Sequence, residues 1–143
     1  MKIRQATRKD FGEIYVIIKE EYGRVPYNEK WTKQNAFKTL NHYSKWGKMY
    51  VAEIDNKVAG FLVIHLEPYN GLQLDLKEIA VKAEFKGRGI GRALVKKAEE
   101  FARKNKVKAI YLMTSPDAPA FYFYKKMGYI PDRKTVFFRK ELK

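Results

Sequence analysis

The segment Lys86-Gly87-Arg88-Gly89-Ile90-Gly91 sets three alternate glycines between an apolar strand pattern, Leu74–Val81, and a helical pattern that follows directly. Lacking Cβ atoms, such a turn lets the backbone approach a ligand closely. It also aims several N–H groups and the positive end of a helix at one point, which is how proteins hold phosphate. Lys86, Arg88 and Arg92 add side-chain cations around that point. Two common phosphate motifs do not fit. A Walker loop ends in Gly-Lys-Ser/Thr, but Arg92-Ala93 follows Gly91, and the dinucleotide fingerprint G-x-G-x-x-G has its third glycine one position later. On the strand before the loop, Asp75 and Glu78 are the carboxylates available as bases. They are three residues apart, so regular alternation predicts that they face opposite sides of a sheet. The chain has no cysteine, which excludes disulfides, thiolate metal sites and cysteine nucleophiles. Its two histidines, His42 and His65, show no ligand-like spacing, and no metal site is expected.

The elements that must position these groups are readable in order. Lys2–Ala6 is a short strand. Asp10 is the expected helix N-cap with Glu13 as its capping-box partner, and Ile14, Tyr15, Ile17, Ile18 and Tyr22 form the apolar stripe of the first helix, ended by Gly23 and Pro26. A second, less regular helical region runs to Trp46, with Trp31, Phe37, Leu40 and Tyr43 as buried positions. Met49–Ile54 and Val58–Leu66 form a hairpin across Asp55-Asn56-Lys57. Gly60 marks a bulge or the close approach of another backbone. Residues 68–71 make the next turn. The helix after Gly89 buries Ile90, Leu94, Ala98, Phe101 and Ala102 and carries Glu99–Arg103 and Glu100–Lys104 pairs on its wet face. Lys108–Thr114 is a strand, a short helix follows with Gly128 as its C-cap, and Ile130–Asp132 and Thr135–Glu141 are two final strands. With 143 residues and 45% apolar composition, one domain over 1–143 is expected.

Lys86-Gly-Arg-Gly89-Ile-Gly91 resembles the pyrophosphate loop R/Q-x-x-G-x-G/A of the GNAT superfamily of N-acetyltransferases, with Lys86 where Arg or Gln is usual. A later segment resembles that family's N-x-x-A-x-x-x-Y-x-x-x-G-F/Y motif. Ala120, Tyr124, Gly128 and Tyr129 match in spacing, and Asp117 stands where Asn is usual. The opening strand Ile3-Arg4 to Ala6-Thr7, followed by Asp10 and a helix, also looks like the start of many GNAT domains, so the resemblance covers essentially the whole chain. It implies an α+β fold with a mostly antiparallel sheet of six to seven strands, about four helices, and a V-shaped splay between two parallel central strands. It further implies direct acetyl transfer from acetyl-coenzyme A to a primary amine. The implied cofactor contacts are the backbone at Ile79, Ala80 and Val81, the loop residues Lys86, Gly87, Arg88, Gly89, Ile90, Gly91 and Arg92, and Asp117, Ala120 and Tyr124. Tyr124 is the implied proton donor to the departing thiolate, with Tyr122 as its substitute. Glu78 is preferred over Asp75 as the base. Tyr27, Trp31 and His42 fall in the region that shapes the acceptor pocket.

Charge bounds the partners. The formal net charge is +14; residues 1–74 carry 12 basic and 8 acidic side chains, residues 75–143 carry 18 and 8. The excess lies with the phosphate loop, which suits a polyanion such as coenzyme A and repels polycationic acceptors. A protein N-terminus, a lysine in an acidic setting or a small amine remain as acceptors. A second class of function is a nucleic-acid- or ribosome-associated module on the same scaffold, supported by interleaved lysines and aromatics at 121–140. No apolar run reaches membrane-spanning length and the first residues lack a signal pattern, so a cytoplasmic protein, monomeric or homodimeric, is expected.

Overall fold

The computed structural model describes residues 1–67 and 73–142; the turn expected at 68–71 lies outside the described residues. The chain divides into two compact units, Met1–Met113 and Thr114–Lys143. The first holds a five-stranded sheet in the order β1 (Lys2–Gln5), β2 (Lys48–Ile54), β3 (Lys57–Leu66), β4 (Gln73–Val81), β5 (Ala109–Tyr111). The first three pairings are antiparallel and β4–β5 is parallel. Helices α1 (Phe11–Tyr22) and α2 (Lys33–Trp46) lie between β1 and β2 in sequence, and α3 (Ile90–Lys104) connects β4 to β5. Helix α4 (Pro119–Lys126) belongs to the second unit. The α+β class, the mixed sheet and the four α-helices among the described residues agree with expectation, but the described sheet has five strands where six to seven were expected.

Asp55 and Asn56 have φ of +49° and +62°, the left-handed pair that a two-residue hairpin turn needs and that Asp and Asn tolerate. Phe11, Ile14, Ile17 and Ile18 of α1 and Leu40 of α2 pack with Met49, Val51, Val58, Phe61 and Val63 on one face of the sheet. On the other face, Ile90 and Leu94 of α3 come so close to Gly60 that an added Cβ would lie 3.3 Å from each and 2.9 Å from the Ala80 carbonyl oxygen. Opposite Gly60, the β2–β3 register shifts between Ala52 and Glu53. Both alternatives read from Gly60, bulge and close approach, are therefore present. Gly60→Ala is expected to lower stability by about 1–3 kcal/mol through overpacking against backbone that cannot yield, measured as a lower urea midpoint at unchanged m-value.

Several local expectations change because a distant partner competes for the side chain. Asp10 does not cap α1 through its side chain. It closes a single 3-10 turn, Arg8–Asp10, where it accepts from the Thr7 N–H at 2.8 Å. Its two oxygens take both Arg4 Nη groups, at 2.9 and 2.8 Å, while Arg4 Nε binds Glu53 at 2.8 Å. The guanidinium holds the Asp10 carboxyl below the usual carboxylate range. Glu13 accepts from the Val58 N–H at 2.8 Å instead of completing a capping box. Helix α2 starts at Lys33 because Thr32 caps it, accepting from the Asn35 N–H at 3.1 Å. On α3 the Glu100–Lys104 pair forms at 3.4 Å. Glu99 makes no ion pair with Arg103; its Oε2 is buried without a hydrogen-bond partner.

The strand expected at Lys108–Thr114 shortens to Ala109–Tyr111. The final strands expected at Ile130–Asp132 and Thr135–Glu141 do not form: residues 129–142 contain no helix or strand. A strand needs a neighbour to satisfy its backbone, and none is paired here among the described residues. The Asp132 carboxylate instead accepts from the Lys134 N–H at 2.9 Å and the Thr135 hydroxyl at 2.8 Å, a local turn that competes with extension.

Candidate active site

Strand β4 carries both candidate carboxylates, Asp75 and Glu78, and the expected backbone contacts Ile79–Val81. Its parallel pairing with β5 covers Gln73↔Ala109, Leu74↔Ile110 and Asp75↔Tyr111 only, whereas β4 runs on to Val81. Past Asp75 the edge toward β5 is unpaired among the described residues, which leaves backbone groups of Ile79, Ala80 and Val81 available on that side. On the other side these residues pair with Leu62, Phe61 and Gly60. A 3-10 turn, Ala83–Phe85, then leads into the glycine loop.

Gly87 and Gly89 both have φ of +79°. No atom lies within 4 Å of where either Cβ would stand. The glycines thus serve the backbone path and the open space beside it, not the packing of a neighbour. Gly89 is the N-cap of α3 and offers no side chain to its first-turn N–H groups, which remain for a ligand. Ile90 is buried and anchors the helix start, while Arg88 stacks over Phe85 at 5.4 Å and Arg92 is exposed. Lys86 does not extend freely: its ammonium pairs with Glu21 of α1, which also lies 3.4 Å from Arg24.

Regular alternation fails for the carboxylates. The β3–β4 register passes from Val63↔Glu78 to Ile64↔Leu76, leaving Lys77 as an extra residue. Residues opposite one another share a face. Val63 and His65 are on one face of β3, so Glu78 and Asp75 opposite them are also on one face, the side covered by α1 and α2. Asp75 accepts from Gln73 Nε2 at 2.8 Å and lies 4.0 Å from His65 Nδ1. The register also brings Glu67 here: one ligand atom each of His65, Glu67 and Asp75 lie within 4.8 Å of one another, a grouping that sequence spacing does not reveal.

Glu78 is held by phenols. Tyr22 Oη donates to its Oε2 at 2.5 Å and Tyr43 Oη to its Oε1 at 3.1 Å. Among the described residues no Lys, Arg or His forms an ion pair with it. Burial raises the Glu78 carboxyl above its ordinary range, against the lowering effect of the two phenols. Burial and the facing carboxylate push the Tyr43 phenol well up. Tyr22 also packs edge-on against Tyr27 at 6.1 Å and at a tilt against Trp31 at 6.3 Å, and the Trp31 indole donates to Glu29 at 2.9 Å. The residues read as acceptor-facing, Tyr27 and Trp31, thus meet Glu78 through Tyr22. His42 is exposed, 6.1 Å from Tyr43 and 6.5 Å from Trp46. Tyr22 and Tyr43 were legible only as buried helix positions; the signal that could have singled them out is that a buried phenol needs a polar partner.

In the second unit, Asp117 donates its N–H to Ser115 Oγ at 3.2 Å. Ala120 and Tyr124 lie on α4, where Tyr124 is buried and packs edge-on with Tyr129 at 5.6 Å, and Tyr122 is exposed. Gly128, at φ +90°, ends the helix: its N–H reaches the Lys125 carbonyl and that of Tyr129 reaches the Tyr124 carbonyl, both at 3.0 Å. This is the two-bond C-cap that favours glycine.

Residues 8–129 match the acetyltransferase (GNAT) family model. An uncharacterized N-acetyltransferase of Methanocaldococcus jannaschii is 30% identical over 135 residues, covering 89% of this chain and 59% of that protein. One of Archaeoglobus fulgidus is 33% identical over 132 residues, covering 85% of this chain and 89% of its own. Among solved structures, a probable acetyltransferase superposes with a TM-score of 0.81 at 19% identity, covering 100% of this chain and 99% of its own, a likeness of fold. The chain belongs to the acetyltransferase (GNAT) family, and it spans less than two thirds of the length of the first of these relatives. No helix among the described residues is long and apolar enough to cross a membrane.

Proposed function

We propose that this acetyltransferase moves the acetyl group of acetyl-coenzyme A directly to a primary amine within a ternary complex. The observation that carries the reading is the loop, where two glycines at φ +79° border open space at an uncapped helix start. That cradle and the cations around it fit a pyrophosphate. Lys86 to Arg92 would hold it, and the backbone of Ile79–Val81, unpaired toward β5, would take the pantetheine arm. Acetyl-coenzyme A supplies the acyl group already activated as a thioester. The main-chain N–H groups near Ala80 and Val81 orient the acyl carbonyl, Glu78 is the proton acceptor for the amine, and Tyr124 Oη holds the proton that the departing sulfur needs. We read the whole chain as one acetyltransferase domain, with Asp117, Ala120 and Tyr124 as its further expected cofactor contacts; the single family match over residues 8–129 supports this.

The base matters most for the least acidic acceptors. A lysine ammonium costs roughly 4.6 kcal/mol to deprotonate at pH 7 and an α-ammonium roughly 1.1 kcal/mol. The decisive experiment is calorimetric titration of nucleic-acid-free protein with acetyl-coenzyme A and with its dephospho form. Micromolar binding of the first is expected, and weaker binding of the second would add that basic side chains read the ribose phosphate. No binding of either would end the enzyme reading. It would favour the nucleic-acid reading, whose own support is the exposed segment in which Phe137 and Phe138, 78% and 91% exposed, lie among Arg133, Lys134, Arg139 and Lys140.

Glu21 competes with the ligand for Lys86. Glu21→Gln is expected to tighten coenzyme A binding about 2- to 5-fold, the modest scale of a half-exposed pair, with a larger gain at 20 mM than at 300 mM salt in the same calorimeter.

A further inference from the structure

Both oxygens of Glu78 are occupied by phenols, and the carboxylate sits on the sheet face roofed by α1 and α2. Tyr27 is 38% exposed, and Tyr22 stands between it and the carboxylate. The short Tyr22–Glu78 contact, 2.5 Å, is that of a charge-assisted O–H···O⁻ bond along which a proton moves a small distance. We propose that Tyr22 is a further catalytic residue, which takes the acceptor's proton at Oη and passes its own to Glu78 Oε2, while Tyr43 is the positioning residue for the other carboxylate oxygen. The inference rests on reading Glu78 as the base.

The step balances without a co-reactant. The ammonium N–H bond breaks and its electron pair stays on nitrogen, giving the neutral nucleophile. An O–H bond forms on Tyr22 Oη as the original phenolic O–H breaks, and the released proton forms an O–H bond on Glu78. Tyr22 ends as it began, and the negative charge of Glu78 is cancelled together with the positive charge of the amine. The groups that face Glu78 are Tyr22 from α1, Tyr43 from α2, Glu29 from the segment between those helices, and Lys77 on its own strand. Tyr43 is less suited to relay: its bond is longer, 3.1 Å, and among the described residues the acceptor-region aromatic that packs with it is the exposed His42.

The test compares Tyr22→Phe, Tyr43→Phe, Glu78→Gln and the double variant Tyr22→Phe/Glu78→Gln with the unaltered protein. A panel of a lysine peptide, a free-N-terminus peptide and small amines supplies the acceptor. Phe keeps each ring but removes a hydrogen bond to a buried carboxylate, so unfolding midpoints are expected to fall by a few degrees while acetyl-coenzyme A affinity stays close to the parent's. Tyr22→Phe and Glu78→Gln should each lower kcat about 100-fold, and the double variant should be no slower than the slower single, because the two act as one unit. Tyr43→Phe should keep most of its turnover and move the acidic limb of the rate profile to higher pH, since the ionised Glu78 loses a donor. Carboxyl carbon NMR of the ligand-free protein gives a readout independent of turnover: the Glu78 titration should rise in pH in both Phe variants. Tyr22→Phe at the parental kcat, or losses that multiply in the double variant, would overturn the relay alone. Glu78→Gln at the parental rate would remove the base itself. An unmoved Glu78 titration in both Phe variants would overturn the positioning of the carboxylate, whatever acceptor is found.

Discussion

Tyr124→Phe is expected to lose about 100-fold or more in kcat while its affinity for acetyl-coenzyme A stays within a factor of three. A phenol near pKa 10 is a weak acid for a thiolate whose conjugate acid lies near 8.5, so its value depends on being fixed in place. The side chain is 6% exposed, packed against Tyr129, and carried on a helix whose end is locked by Gly128. That burial is also what a plain core aromatic would show. The two roles separate by measurement: loss of one buried hydroxyl costs stability on the order of 1 kcal/mol, whereas loss of a general acid removes turnover. Thiol release followed against pH, beside thermal unfolding, decides between them. A parental rate with an unchanged basic limb and a lowered Tm would return Tyr124 to the core.

Gly89→Val should weaken coenzyme A binding about 100-fold or more. At φ +79° an L residue carries strain of about 1–3 kcal/mol, and a β-branched one sits at the high end. The loop's remedy is to move out of the left-handed region and take the first N–H groups of α3 with it. A side chain kept in place instead fills the space that no protein atom occupies. Either way the cradle closes. Calorimetry gives the affinity and thermal unfolding gives the strain. A lowered Tm with unchanged affinity would show that the glycines serve the turn alone and that the anion is held elsewhere.

How far the chain could be read beforehand follows the range of the forces involved. The hairpin at Asp55-Asn56, the end of α4 at Gly128 and the loop at Lys86–Gly91 are set by backbone conformations that a few neighbouring residues determine, and all three were legible. Asp10 stands at the N-cap position of α1 as expected, but its side chain and that of Glu13 are taken by partners on strands, Arg4 and the Val58 N–H, in place of a local capping box. The phenols on Glu78 come from 56 and 35 residues away, so no window of sequence contains that cluster. The final strands fail for a different reason: a strand exists only where a neighbour accepts its hydrogen bonds, and none among the described residues pairs with 129–142.

The extra residue in β4 bears on how this strand's code is to be counted. Lys77 is exposed and unpaired in the register, so Leu74–Leu76 and Glu78–Val81 form two reading frames of the same alternation, spliced one residue out of phase. Omitting Lys77 would bring the frames together and leave every other side chain on the face it occupies now. Only the local bend would be lost. A chain shortened by that one lysine therefore separates orientation from curvature: whatever it can no longer do belongs to the kink in the strand and not to the direction in which its carboxylates point.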